Sequence, residues 1–216
     1  MTALASTRRP DWRSSLFVYR DDGPLARALG PVAPARLPAP LPLLLAPLPL
    51  LALLVGHGDD ASHGAVAAAV AWAVLAGGLS RGCSHSGRLA WLVPPLLRAL
   101  EYGSIVAIAA VSSETAPGGA YALLAAIAFH HYDLVYRLRY RGDSPPTWVS
   151  TAGGGWDGRL AVAGLLLAAG ALPAGFYLAA ALLGAVLVSE SAAGWVAFVR
   201  SGGRVIDDED DEDEEP

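Results

Sequence analysis

The strongest constraint on this chain is the stretch Leu37–Val55, nineteen consecutive residues without a charge. At 1.5 Å of rise per residue, a helix of that length reaches about 28 Å, close to the thickness of a bilayer's hydrocarbon core. Similar runs recur at Ala65–Leu79, Leu89–Val111, Ala120 to Arg137, Leu160–Leu172 and Ala174–Val199. Hydrocarbon supplies no water to exposed peptide groups, so such runs are expected to cross as helices. The expectation is an all-α, polytopic integral membrane helix bundle of about six transmembrane helices. The 54% hydrophobic and 16% charged composition agrees with it, because the apolar residues fall in blocks rather than alternating with charge. The first run holds Pro38, Pro40, Pro42, Pro47 and Pro49, which remove amide donors. It is expected to begin irregularly and to kink near Pro47 and Pro49, with a re-entrant or surface segment as the alternative.

Arginine position orients the bundle. All fifteen basic residues are Arg. With six spans, fourteen of them fall on one side, in residues 1–36, around Arg81 and Arg88, at Arg137, Arg139, Arg141 and Arg159, and at Arg200 and Arg204. The fifteenth, Arg98, lies within a span. The positive-inside rule makes the arginine-bearing side cytoplasmic, with both termini inside. A five- or seven-span count would break the alternation.

The chain divides into a cytosolic Arg-rich arm (1–36), a six-span membrane domain (37–200) and an acidic tail (201–216). The arm reads as lying on the membrane surface with its arginines toward anionic headgroups, or as a disordered leader. In the tail, nine consecutive acids from Asp207 to Glu215 repel one another and have nothing apolar to bury, so disorder is expected. Without them the formal charge of −5 becomes about +4. Polar sequence with Asp11, Asp21 and Asp22 follows Arg8-Arg9, so a cleaved or twin-arginine signal is not expected. Lone Cys83 forms no internal disulfide, and without Lys there is no Lys-based phosphate loop or Schiff base. The expected setting is the inner cell membrane, crossed several times, with the lipid bilayer as partner and no nucleic acid.

Polar residues inside the spans carry the functional signal. A charge near the bilayer centre costs about 2.5–3.5 kcal/mol on insertion scales, so such residues face partners or a wet cavity. Arg98 and Glu101 are spaced i,i+3 on the third span, and His130, Asp133 and Arg137 share a face of the fourth. Asp157 and Arg159 introduce the fifth, and Glu190 lies in the sixth. All fall in the cytoplasmic half, which predicts one cytosol-facing pocket. Within it His130, Asp133 and Glu101 are the candidate acids and bases. Arg98, Tyr102, His131, Tyr136, Arg137, Asp157, Arg159 and Glu190 are the candidate substrate contacts, the arginines as phosphate holders. The same charges also suit a purely structural network that pairs Arg98 with Glu101, Asp133 with Arg137, and Glu190 with a further arginine. Tyr132 and Tyr136 equally suit anchoring at the membrane interface. No metal site is expected: adjacent histidines diverge by about 100° on a helix, and Cys83 with His85 makes no ligand set.

Two motifs bear on phosphate chemistry. Gly153, Gly155 and Gly158 fit G-x-G-x-x-G, but no strand precedes them, which argues against dinucleotide binding; a flexible turn there would still offer amides to a phosphate. Asp157-Gly158-Arg159-Leu160-Ala161 resembles the opening of the CDP-alcohol phosphotransferase motif. Val162 replaces that motif's arginine, and its later aspartates fall on Gly175 and Ala179, so the chain is not that enzyme by itself.

Four segments together, Tyr19-Arg20-Asp21-Asp22-Gly23-Pro24-Leu25, Arg98-x-x-Glu101-Tyr102, His130-His131-Tyr132-Asp133-x-x-Tyr136-Arg137 and Gly154-x-x-Asp157-Gly158-Arg159, resemble the membrane domain of unknown function known as family 5941, over about residues 12–205. That family occurs in high-GC bacteria, often fused to nucleotidyltransferase-like or CDP-alcohol phosphotransferase-like domains, neither of which is expected within these 216 residues. The resemblance implies phospholipid or phosphopolyol metabolism at the cytoplasmic face. Three readings follow: a pocket that binds or transforms a phosphate-bearing lipid or lipid precursor; a non-catalytic scaffold or partner subunit for a separate CDP-alcohol phosphotransferase-like enzyme; and a proton-coupled transporter.

Overall fold

Proline placement decides where the first apolar run becomes helical. The computed structural model describes residues 12–113 and 115–202; the first eleven residues, Glu114 and the acidic tail lie outside the described residues. Helix α1 spans Trp12–Arg20 and α2 spans Pro24–Leu29. The apolar run then forms α3 (Pro40–Leu45) and α4 (Leu48–His57), separated at Ala46-Pro47. Both begin with proline in the first turn, where a missing amide costs nothing. Just before α3, Ala39 N donates to Ser84 O at 2.9 Å and Ser84 N to Leu37 O at 2.8 Å, the one strand-like pairing among the described residues.

The remaining helices are α5 (His63–Leu79), α6 (Val93–Ala110), α7 (Ala116–Tyr136), α8 (Thr147–Ala152), α9 (Gly155–Ala168) and α10 (Ala174–Arg200). Ser62 caps α5, its Oγ accepting from Ala65 N at 3.3 Å. A π-turn at Arg137–Arg141 prolongs α7 until Gly142, at φ +67°, ends it. In the bundle α5 packs on α9, α6 on both α9 and α7, and α10 along α7. Leu97, Ile105, Ile127, Leu160, Trp156 and Phe176 lie at the buried seams.

Four segments are long and apolar enough to cross a membrane: Pro40–His57, His63–Gly82, Ala90–Ala110 and Ala174–Arg200. Their outward faces carry Leu44, Leu51, Val55, Leu75, Val106, Leu178 and Leu182, all exposed, an apolar surface that suits lipid and not water. The other two expected spans fall on α7 and α9, for separable reasons. Helix α7 is 21 residues long, but His130, His131 and Asp133 reduce its hydropathy. Helix α9 has 14 residues, about 21 Å of rise, short of a full crossing.

The arm differs most from expectation. Its described part folds back onto the bundle, α1 against α6 and α7 and α2 against α5 and α9. Arg20, Asp21 and Asp22 are buried there rather than turned to headgroups.

The Ala-rich α5 makes the close approach that small side chains permit. A Cβ added at Gly77 would come within 2.6 Å of Trp156 and 3.2 Å of Leu100, whereas one at Gly103 would meet nothing within 4 Å. Gly77→Ala is therefore expected to cost about 1–3 kcal/mol by overpacking, and Gly103→Ala to be neutral or stabilising by about 1 kcal/mol. Thermal unfolding of the two variants in detergent checks the difference.

Candidate functional site

Asp157 sits in the first turn of α9 yet serves another helix. Its carboxylate accepts from Gly23 N at 2.5 Å, Leu25 N at 2.8 Å and Ala26 N at 3.0 Å, satisfying the free amides at the start of α2. In return Asp21 O accepts from Trp156 N at 3.1 Å, and Trp156 Nε1 donates to Asp22 Oδ1 at 2.9 Å. The two turns press backbone to backbone: a Cβ on Gly23 would fall on the Gly154 carbonyl, and one on Gly155, at φ +59°, would fall on Gly23. The glycine-rich run is thus a seat for the arm. The amides of Gly153, Gly154, Trp156 and Gly158 are already bonded, to Val149 O, Thr151 O, Asp21 O and Gly154 O, so they do not form an open phosphate cradle.

This docking holds Asp21 inside the bundle at φ +50°, the one positive value outside glycine among the described residues. Arg159 Nη2 donates to Asp21 Oδ2 at 2.7 Å, and Arg159 Nε to Glu101 Oε1 at 2.6 Å. Glu101 Oε2 accepts from Arg98 Nη1 at 2.9 Å. Arg98 Nη2 reaches back to the arm, to Tyr19 O at 2.9 Å and Arg20 O at 2.8 Å. Two arginines thus face two carboxylates in a chain linking α6, α9 and the arm.

The histidines complete the cluster. His130 Nε2 lies 3.4 Å from Asp21 Oδ1, and His131 Nε2 lies 3.5 Å from Asp21 Oδ2, so the two diverging rings flank one carboxylate. Arg98 Nη1 also touches His131 Nε2, and Tyr102 Oη lies 2.7 Å from His131 Nδ1. Arginine only donates, so His131 Nε2 must accept, which assigns the neutral ring with its proton on Nδ1 and directed at Tyr102. His131 is positioned as a neutral link and not as a cation.

Asp22 anchors a third group of residues. It accepts from Arg20 Nε at 2.7 Å, Arg81 Nη1 at 2.6 Å and Arg20 Nη2 at 3.1 Å. Arg20 Nη2 also donates to Ser80 Oγ at 3.1 Å, and Arg20 Nη1 lies 3.3 Å from His85 Nε2. Burial alone would raise both arm carboxylates. At Asp21 it is outweighed by the Arg159 charge and the hydrogen bond from His130, which hold the carboxyl well below its ordinary value. At Asp22 the Arg20 charge and hydrogen bond, then Trp156 and Arg81, do the same. His85 is pushed down by burial and by Arg20.

The single pocket expected from the sequence is divided. Arg98, Glu101, Tyr102, His130, His131 and Arg159 come together, with Asp157 beside them. Asp133, Arg137 and Glu190 form a separate group between α7 and α10. Arg137 Nη1 and Nη2 grip the two Glu190 oxygens at 3.0 Å each, and Ser191 Oγ donates to Asp133 Oδ1 at 2.8 Å. Arg137 Nε lies 2.8 Å from Asp133 Oδ2, an ion pair whose angle is too poor for a hydrogen bond. Tyr136 belongs to this side, its ring 5.6 Å from Trp195. His130 and Asp133 share a broad helix face, but three residues turn them about 60° apart. That offset sends one toward the arm and the other toward α10.

A cavity of about 320 Å³ opens beside the first group. His130, Asp21, Asp22, Arg27 and Arg81 line it, with the hydroxyls of Ser144, Thr147 and Ser150 and an apolar rim from Phe17 and Val149. Arg27 is held by Thr151 Oγ1 at 3.4 Å and by Ser150 Oγ. Among the described residues no group of three His, Cys, Asp or Glu is placed to hold a metal ion.

The sequence segments that build this geometry also carry a family signature. The chain belongs to a family of unknown function, DUF5941. The similarity covers residues 13–214, from α1 through α10 and into the tail. No curated protein and no solved structure matches the chain. Site residues outside the candidate set, Arg20, Asp21, Asp22, Arg27 and Arg81, come mainly from the arm. The signal for Arg20, Asp21 and Asp22 was the Tyr19–Leu25 segment, a charged turn followed by Gly-Pro, which reads as an ordinary helix start when no partner is visible.

Because Asp21 and Asp22 titrate below the ordinary value of 3.8 when folded, their contribution to stability is complete above that value and is lost as pH falls through the lower folded-state values. Tryptophan fluorescence in detergent should show an unfolding temperature contribution from this pair that is steady from pH 7 to about 5 and declines progressively below about 4. Asp21→Asn should lower the plateau itself.

Proposed function

We propose that this is a multi-pass membrane protein with six crossings, both termini cytoplasmic, whose polar cavity binds the phosphate-bearing headgroup of a lipid or lipid precursor. The observation that carries the reading is that His130, Arg27 and Arg81 line one cavity with Asp21, Asp22 and the hydroxyl-bearing residues Ser144, Thr147 and Ser150. Arg81 is suited to phosphate because its side chain is 31% exposed, its Nη1 bonded to Asp22 and its guanidinium over the Phe17 ring at the cavity rim. Arg98 and Arg159 are bound to carboxylates beside the cavity, so they act by shaping the site, whereas Arg137 clamps α7 to α10 apart from it. His130 is the group suited to accept or donate a proton, and Asp21 positions it. Glu101 is fully buried with both oxygens held by arginines, which suits it to organising charge.

The six-span topology rests on the arginine alternation, with α7, and α9 together with its flanking residues, supplying the two crossings beyond the four apolar spans. Alkaline phosphatase fused after residue 60 or residue 117 should be active, and fused after residue 87 or residue 202 inactive. Activity at residue 87 would overturn the orientation.

A second reading, a non-catalytic partner subunit for a CDP-alcohol phosphotransferase-like enzyme, draws support from α10, whose apolar window is only 11% buried. Purification of the native protein separates the two. Lipid phosphate retained by the wild type, reduced at least about tenfold in Arg81→Ala and retained in His130→Ala with an altered cellular lipid profile, supports the headgroup site and its chemistry. A stoichiometric protein partner, with no lipid phosphate and unchanged lipid profiles in both variants, overturns it in favour of the subunit.

A further inference from the structure

The polar cavity has an apolar neighbour. A crevice of about 300 Å³ lies between α9 and α10, lined by Val162 and Leu166 of α9, Phe176, Leu182 and Val186 of α10, and Leu123 of α7. It exists because α9 packs on α5 and α6 while α10 packs along α7, which leaves the two consecutive helices splayed. Its head is formed by Gly154, Gly158 and Arg159.

The two hollows share a wall. Asp21 lines the polar cavity, Arg159 lines the crevice, and Arg159 Nη2 bonds to Asp21 Oδ2 at 2.7 Å. The other part of the wall is α8, a six-residue helix with Thr147, Val149 and Ser150 toward the cavity and Ala152 toward the crevice.

We propose that cavity and crevice are the two halves of one amphiphile site: a phosphate headgroup sits against Arg81 and His130 while a hydrocarbon chain of the same molecule lies between α9 and α10. The inference rests on the headgroup reading above and narrows it to a membrane-resident lipid in place of a free, water-soluble phosphate compound. The crevice is apolar apart from Arg159 and the glycine backbone at its head. It also opens beside Val162 and Leu182, 49% and 61% exposed, and Leu182 lies on a helix apolar enough to span. The solvent at that mouth is therefore hydrocarbon, and a flexible chain is the occupant that fits. A lipid placed this way straddles α8, which lets the head be held on the polar side without drawing the chain out of the bilayer.

The test uses the full chain in detergent and two probes with the same phosphate chemistry: glycerol 3-phosphate and a phosphatidylglycerol. Val162→Trp and Leu182→Trp fill the crevice at sites exposed enough to keep the fold, which size exclusion and circular dichroism verify. Phosphatidylglycerol retention, read by native mass spectrometry, is expected to fall at least about tenfold in either variant, while glycerol 3-phosphate binding is unchanged. Arg81→Ala is expected to lose both. If wild type binds the two probes alike and the tryptophan variants change nothing, the amphiphile site is overturned and the headgroup reading stands. If neither probe binds, the reading beneath it fails too. If phosphatidylglycerol is retained regardless of Arg81→Ala, the crevice and the cavity are separate, and the proposal is wrong.

Discussion

The ion pair between Arg159 and Asp21 governs the rest of the structure. Arg159 is 5% exposed and Asp21 is 5% exposed, and neither charge is tolerable alone in a low-dielectric interior. Transferring such ions from water costs several kcal/mol each, and mutual attraction offsets it only when the remaining donors and acceptors are also satisfied. The fold meets that condition on both sides. Glu101 takes the second face of the Arg159 guanidinium, Arg98 takes the second oxygen of Glu101, and the histidines flank Asp21. Each neighbour therefore has to be present for the next to be buried, and the arm has to be docked for any of it to form.

Docking in turn explains the glycine-rich run. Bringing Asp21 to Arg159 requires two turns to meet without side chains between them, and Gly23, Gly154 and Gly155 allow that contact. Asp157 then completes the helix that follows the turn. What resembles a phosphate-binding fingerprint in sequence is a backbone interface in space, its amides used internally. The division of polar residues into two groups has a similar origin. Helix α7 lies between the arm and α10, so residues only 60° apart on it serve different neighbours. His130 becomes part of a cavity wall and Asp133 part of an interhelix clamp.

Local pairings were legible because helix geometry enforces them. Arg98 with Glu101 at i,i+3 and Arg137 with Asp133 at i,i+4 follow from spacing alone. The proline break near Pro47 follows from the missing amide donors. The residues around Arg98, His130 and Arg159 stand out in the sequence as polar groups in or beside apolar runs, and they lie together in the fold. Their partners Asp21 and Asp22 were left in the arm, since a short charged segment ahead of the first apolar run has the same composition whether it lies on a membrane surface or enters the protein.

From the sequence alone come the helical class, the apolar segments suited to a bilayer, and the presence of polar groups that need partners there, because hydrocarbon admits few other solutions for a chain of this composition. Which acid meets which base was decided only by the tertiary structure. Asp21 lies 138 residues from Arg159, and Glu190 lies 53 from Arg137, and opposite charges carry no address beyond their sign. The packing of α7 between its neighbours and the glycine seat for the arm supply that address. They also leave α9 and α10 apart, and so create the crevice beside the cavity.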